Sequence, residues 1–534
     1  MRFVAGALML AAAASAQVTP PLVGWLPDGK QIRPMNGLPA AAILGRPANV
    51  DRALTHVAVS PSQSYVLATD AQTGEALLIV PGVSSTTLDT PVNPDQIVSS
   101  PRGSSAVLWY SSGAQFEVLT GLPAVPAIRQ IGASFVNTTP AAIALSDDGQ
   151  SMAVASSAGV YEWGSDGVPH QFYSGSDARA LAFFAGSSDL AIATATQLLS
   201  IAGSATSVLY QGSFSPAGLA TSFDNQKIVL ADQSGTIYSV DPANHTASII
   251  DCQCRPSGVF GLGGAVFRLT GSSIGAIKLF DAASGAVLAV PGDRLPTRRE
   301  VHPAQTTAAL PTLTISLTPT TGYLQQPAMT ITASSASSSE IDGNVTLTFA
   351  SNSSTGGTDQ TIQFSTGGTT VNFTIPAGST RANFSSAASV TFSTGTVAGT
   401  ITLTANITAP SSVSAVATQT VTNQPTVAAI TGVTLTQTSA GITVTITGYS
   451  PTDEVVSASF TFALSSNATI TQNDIGVSVS PQFQPYYANS SSYATGSEFT
   501  LMVPFGITGN PADIVGVTVD LLNTKGESSS VSSK

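Results

Sequence analysis

The chain has 534 residues and a formal net charge of −12; only 9% of its residues are charged while 43% are hydrophobic. An acidic, lysine-poor surface repels polyphosphate, which excludes nucleic acid as a partner, and the apolar content excludes a disordered chain. The length suits about three or four domains.

The N-terminus reads as a secretory leader over residues 1–16. Arg2 supplies a short positive region, "FVAGALMLAAAA" follows from Phe3, and Ala14-Ser15-Ala16 forms a cleavage site, with Gln17 as the mature start. No stretch reaches the ~20 apolar residues of a membrane span, and no cysteine stands at the cleavage point. A soluble exported protein, periplasmic or extracellular, is expected, without transmembrane insertion.

Residues 17–292 carry a repeat. "VAVSPSQSYVLATD" begins at Val57, and related stretches begin at Ile97, Ile143, Leu181, Leu219 and Gly258. Aligned on Ser60, Ser100, Ser146, Phe184, Ser222 and Phe260, they step by 40, 46, 38, 38 and 38 residues. Each copy has an apolar strand, a polar turn such as Ser146-Asp147-Asp148-Gly149, a second apolar strand and one or two further alternating stretches. A period near 40 with about four strands per unit is the sequence mark of a β-propeller blade. Six units are visible, and the strand-like segment 31–45 closes the ring or belongs to a seventh. The turn "SPSQSYVLATD" with "TGEALLIV" resembles the blades of YVTN-type and WD-repeat-like propellers. Cys252-x-Cys254-x-Pro256, Gly263-Gly264 and Phe267-Arg268-Leu269-Thr270 resemble the last blade of secreted propellers of soil bacteria. The resemblance implies a fold and a secreted habit, and no reaction.

Residues 293–311, with Arg294, Arg298, Arg299 and Glu300, read as an exposed linker. From Thr312 onward Thr and Ser alternate with Val, Ile, Leu and Phe, as in "TITLTANIT" (400–408) and "ITVTITGY" (442–449). Period-two alternation predicts antiparallel sheets with one wet face. The pattern restarts near residue 423, predicting two β-sandwiches over 312–422 and 423–534 that resemble bacterial Ig-like or fibronectin-type modules. The expected fold class is therefore all-β: a propeller of six blades, alternatively seven, followed by two Ig-like sandwiches.

The candidate sites are few. Cys252 and Cys254 are the only cysteines. They lack the further ligands of a zinc site and the spacing of a redox pair. A local disulfide loop turned at Gln253 and a pair of packed thiols both remain open, and either is structural. His56, His170, His245 and His302 are scattered, His56 abutting an inner strand of the repeat. Asp147-Asp148-Gly149 and Asp224-Asn225 lack the further carboxylates of a calcium loop, so no metal or cofactor is expected. In the loop "SPQFQPYYANSSSYATGSEF" (480–499), Phe483, Tyr486, Tyr487 and Tyr493 stand among amides and hydroxyls; exposed, these rings would suit stacking on sugars, and otherwise they cover the open end of the sandwich. Sequons at Asn344, Asn372, Asn383 and Asn467 are what a Ser/Thr-rich chain contains by chance. The function expected is an exported, non-catalytic binding protein engaging a protein or glycan at the cell envelope. Rivals are a polysaccharide-active enzyme with a site in the propeller channel and a structural envelope component. Three or more ionisable groups meeting in the channel would favour the enzyme.

Overall fold

The computed structural model describes residues 9–11, 16–133, 139–164, 167–293, 310–320, 322–353, 355–385, 387–409, 413–438, 441–466, 468, 470, 473–489 and 492–533, with only the backbone at 9–11, 413–415, 492 and 493. Ala14 and Ser15 of the leader cleavage site, Arg294, Arg298, Arg299 and Glu300 of the linker, His302 and Asn467 therefore lie outside the described residues. The chain divides into two compact units: one of 24–35 and 44–289, the other of 1–23, 36–43 and 290–534.

The first unit is built from six consecutive four-stranded antiparallel sheets, each a simple meander. The first runs Leu54–Val59, Val66–Asp70, Ala76–Val80 and Ser84–Thr87. The innermost strands of the other five are Gln96–Ser99, Ala142–Leu145, Ala180–Phe183, Pro216–Thr221 and Phe260–Gly261. This is the architecture of a β-propeller. One sheet cannot bury both its faces, and each apolar core here is shared by two consecutive sheets. Trp109 and Phe116 of the second sheet pack with Trp163 of the third, and Leu199 of the fourth joins the third sheet's Val160.

The aligned serines explain why the repeat is visible. The Ser60 amide donates to the Tyr65 carbonyl, and Ser60 Oγ accepts from the Tyr65 amide, closing the hairpin between the two innermost strands. Ser100 with Ser105, Ser146 with Ser151 and Ser222 with Lys227 repeat the same two bonds. In the fourth copy Phe184 keeps only the backbone bond, to Asp189. In the last copy the hairpin closes from Leu262 to Val266, so the turn begins at Leu262 and Phe260 lies within the inner strand. The alignment on Phe260 is thus corrected by two residues; a tight Gly263-Gly264 turn, both glycines at positive φ, replaces the longer serine turn.

The N-terminal segment supplies a further sheet, with strands Leu22–Asp28, Gln31–Asn36 and Ile43–Leu44. Ile32 packs into the core of the first four-stranded sheet beside Leu54 and Val66. On its other flank Asp28 accepts from Ser273 Oγ at 2.6 Å. Gln63 ties this side together: its side-chain oxygen accepts from the Trp25 amide and its Nε2 donates to the Gly261 carbonyl.

The second unit holds two pairs of facing sheets. In the first pair, Leu313–Leu317, Ala328–Ala333 and Val390–Thr391 face Thr370–Ile375, Ile341–Ser351, Gly399–Ala409 and Val413–Asn423. Burial alternates residue by residue along Ile341–Ser351 and Gly399–Ala409, as the Thr-apolar pattern requires, and Phe364, Phe373 and Phe392 fill the core between the sheets. In the second pair, Ala429–Thr438, Gly441–Tyr449 and Glu498–Ile507 face Asp474–Ser478, Ser457–Leu464 and Ile514–Asn523 around Phe460, Phe462 and Phe505.

Two sequence expectations are corrected in this unit. Gln17–Thr19, expected at the start of the propeller, pairs antiparallel with Thr500–Met502, and Met9–Ala11 of the expected leader pairs with Phe505–Ile507. The outer edge of Glu498–Ile507 offers unpaired amides and carbonyls, and these segments satisfy them. The stretch expected as an aromatic loop begins as an α-helix, Ser480–Ala488, with Pro481 in its first turn and Pro485 inside it. Phe483 and Tyr487, four residues apart, fall on one helix face and are buried in the core.

Candidate functional site

The innermost strands of all six four-stranded sheets, together with Trp25 and Pro27 of the three-stranded one, line a cavity of about 600 Å³. Its wall is mostly small and apolar, from residues such as Val59, Val98, Ala144, Ala182 and Leu219. Consecutive residues of each innermost strand contribute to this wall, and Ala144, Ala182 and Leu219 also belong to the cores shared between sheets.

The two ends of the cavity differ. Where the innermost strands end, their hairpin turns are cross-bonded. Asp147 accepts from the Arg102 amide and the Gly186 amide, both at 2.8 Å, joining three consecutive turns. Arg102 Nη2 donates to the Phe223 carbonyl at 3.0 Å, joining the turns of the second and fifth sheets, which are not neighbours. Asn225 bonds the Ala185 amide and carbonyl, and the Phe223 amide donates to Gly264. These bonds form a floor. Where the innermost strands begin, the lining includes Ser257, Gly271 and the exposed Arg179.

Only two ionisable side chains occur among the lining residues, Arg179 and Arg268. Arg268 lies on Val266–Arg268, opposite Phe260 in register, and is 3% exposed. Its Nη1 donates to the Thr270 carbonyl at 2.6 Å, and its guanidinium sits 4.2 Å from the centre of the Phe260 ring. Its Nε has no hydrogen-bond partner among the described residues. Burial pulls the guanidinium down to about 10, still charged at neutral pH. In the sequence, Arg268 figures only within the last-blade resemblance. The signal for more was present: a lone cation inside the apolar run "AVFRLT" of a chain with 18 lysines and arginines.

The sequence-predicted residues lie elsewhere. Cys252 and Cys254 form a disulfide with Cα atoms 5.1 Å apart. A left-handed Gln253, φ 49°, brings them together, and Cys252 packs against Phe267 and Phe280 just before the last innermost strand. His56 is exposed, at φ 46° beside a register shift between Thr55 and Ala58, and does not line the cavity, although Val57, Ala58 and Val59 do. His170 and His245 are exposed on outer strand and turn positions. Asp148 and Asp224 each accept from the serine two residues before and the amide two residues after, as turn-forming carboxylates.

Phe483, Tyr486 and Tyr487 do not form the exposed surface expected for sugar stacking. Tyr487 donates to the Ser497 carbonyl at 2.8 Å and Tyr486 to the Glu498 carbonyl at 2.6 Å, while Phe483 stacks on Tyr487 and meets Phe499 edge-on. Their polar atoms are spent on backbone and their faces on the sandwich core. Tyr493 lies in the short 3₁₀ turn Ser492–Thr495, its side chain outside the described set.

These tyrosines adjoin a buried acidic knot. Glu498 is fully buried and accepts from the Leu38 amide at 2.8 Å. Asp359 accepts from the Thr361, Thr396 and Val397 amides. Asp453 accepts from Thr355 Oγ1 at 2.9 Å. Burial, reinforced by the Asp359 charge, holds Glu498 well above the usual carboxylate range and Asp453 up to about 6. Among the described residues no cluster of His, Cys, Asp or Glu has the arrangement of a metal site, and no helix is long and apolar enough to cross a membrane.

No family model and no curated protein matches the sequence. Several solved structures are similar to about half of the chain at low identity. The β-propeller domain of Cps50 (Swd1) from Myceliophteria thermophila is 9% identical with a TM-score of 0.33, over 49% of this chain and 95% of that one. KlHsv2 with loop 6CD replaced by a Gly-Ser linker is 7% identical with a TM-score of 0.33, over 51% and 97%. A chain of a nidogen/laminin complex is 13% identical with a TM-score of 0.31, over 52% and 93%. The propeller assignment rests on the sheets themselves: six sequential meanders around one shared cavity.

Proposed function

We propose that the chain is an exported, non-catalytic binding protein whose propeller is the recognition module. In this reading the three-stranded N-terminal sheet is a seventh blade, and the two sandwiches are Ig-like or fibronectin-type spacers or adhesive modules. The observation that carries the proposal is the floored cavity. Its lining is apolar apart from two arginines and a few amides and hydroxyls, and among the described residues it offers no carboxylate or imidazole to move a proton. Such a chamber suits holding a ligand. Export is supported by the leader-like residues 1–16 and by a cysteine pair suited to an oxidising compartment. The partner is a cell-envelope component, protein or glycan, that presents a small group to the cavity mouth.

The test is capture from solubilised cell envelope on immobilised residues 17–534, alongside an Ala142→Trp variant that fills the cavity. Enrichment of a defined component by the native chain and its loss in the variant support the reading. Equal capture by both proteins, or no enrichment over a bare matrix, overturns it.

A further inference from the structure

We propose that the propeller cavity takes an organic monoanion, an apolar body bearing one carboxylate, with Arg268 as its counter-charge; this rests on the cavity being the recognition site. A guanidinium 3% exposed and without a carboxylate partner is an expensive thing for a fold to carry. Here one donor is spent on the Thr270 carbonyl, one face lies on the Phe260 ring, and Nε is left over. A carboxylate placed in the cavity would give this guanidinium the counter-charge it lacks, in an apolar surrounding where attraction between opposite charges is strong.

Three further features narrow the ligand class. Among the described residues the lining has no acidic side chain to neutralise Arg268 or repel an anion. The wall is mostly apolar, with Ala, Val, Leu, Ile and Phe side chains beside Gln63 and a few hydroxyls, so the remainder of the ligand is mainly apolar. A single buried cation balances a single charge; a phosphate dianion or an acidic polymer would leave charge stranded against that wall. Arg179 is exposed where the innermost strands begin and would draw anions towards that end. With the other end bridged through Asp147, Arg102 and Asn225, the ligand enters past Arg179 and lies with its carboxylate at Arg268.

The experiment is calorimetric titration of the full mature chain with octanoate, 1-octanol, octyltrimethylammonium and sulfate. Trp25, which lines the cavity, serves as a fluorescent reporter. Octanoate is expected to bind about tenfold or more tightly than octanol, and the cation not at all. Arg268→Met is expected to cost octanoate about tenfold or more while leaving octanol unchanged, and Arg268→Lys to restore part of the loss. Equal binding of octanoate and octanol by the native chain would refute the anion preference and leave the cavity as a recognition site. Binding of sulfate as tight as that of octanoate would reduce the site to a simple anion site and also refute it. If no alkyl probe binds while envelope capture depends on an open cavity, this inference fails and the proposed function stands. The native-chain comparison does not depend on the variants folding.

Discussion

Replacing Asp453 by Asn tests whether the acidic knot governs how the C-terminal unit responds to pH. Asp453 is 6% exposed, and burial with the neighbouring Asp359 charge lifts its carboxyl from 3.8 to about 6 against the lowering effect of the Ser353 and Thr355 hydroxyls. At 1.36 kcal/mol per tenfold, that displacement is worth about 3 kcal/mol. The folded state holds the proton more tightly than the unfolded chain. The associated stability is therefore fully present below pH 3.8 and is lost as pH rises through about 6. Glu498, also raised, adds a loss in the same direction. Asparagine keeps the shape, accepts the Thr355 hydrogen bond and tolerates the left-handed φ of 55°, but carries no charge at any pH. Asp453→Asn should therefore match the native chain in acid and exceed it by up to about 3 kcal/mol near neutrality. The assay is urea unfolding across pH, with hydrogen exchange reporting peptides of 310–533. The three tryptophans, Trp25, Trp109 and Trp163, all lie in the propeller unit, so their fluorescence gives an internal control that the substitution should not move. A variant less stable than the native chain near neutrality, or one that keeps the whole native decline between acid and neutral pH, would refute the reasoning.

Three other outcomes are expected. Arg268→Met should raise the tryptophan-reported free energy of unfolding in urea by about 1 kcal/mol or more, because it removes a buried cation that lacks a full set of partners; a lower value would show the guanidinium to be stabilising as it stands. Reducing the Cys252–Cys254 bridge should lower that free energy by about 2 kcal/mol or less, since the closed loop is so short that little chain entropy is at stake; loss of the propeller transition would contradict this. Tyr487→Phe should cost the C-terminal unit about 1 kcal/mol for the hydrogen bond to Ser497, and Tyr487→Ala about 3–5 kcal/mol for the ring, read by hydrogen exchange; an Ala variant as stable as the native chain would place the ring outside the core.

What could be read in the chain was what is periodic. The serine that closes each hairpin and the alternating apolar residues on either side recur because every sheet solves the same local problem. The period near 40 residues therefore stands for a real structural unit. The Thr-apolar alternation after residue 312 works in the same way, since the alternation in burial along Ile341–Ser351 is local. The helix at Ser480–Ala488 escaped because Pro481 and Pro485 argue locally for a loop. The burial of Phe483 and Tyr487 among Phe499 and Val479 overrides that preference, and it depends on strands distant in sequence.

The amino-acid order by itself determined an all-β chain, its repeat and its two alternating C-terminal modules, because side-chain period and turn chemistry act over a few residues. Tertiary structure alone decided that Gln17–Thr19 completes an edge near Thr500, that Leu22–Leu44 adds a sheet to the cavity wall, and that Arg268 lines a chamber with no carboxylate among the described residues. Those facts arise where strands separated by hundreds of residues meet, and free pairing edges and unpartnered charges exist only after the sheets have assembled.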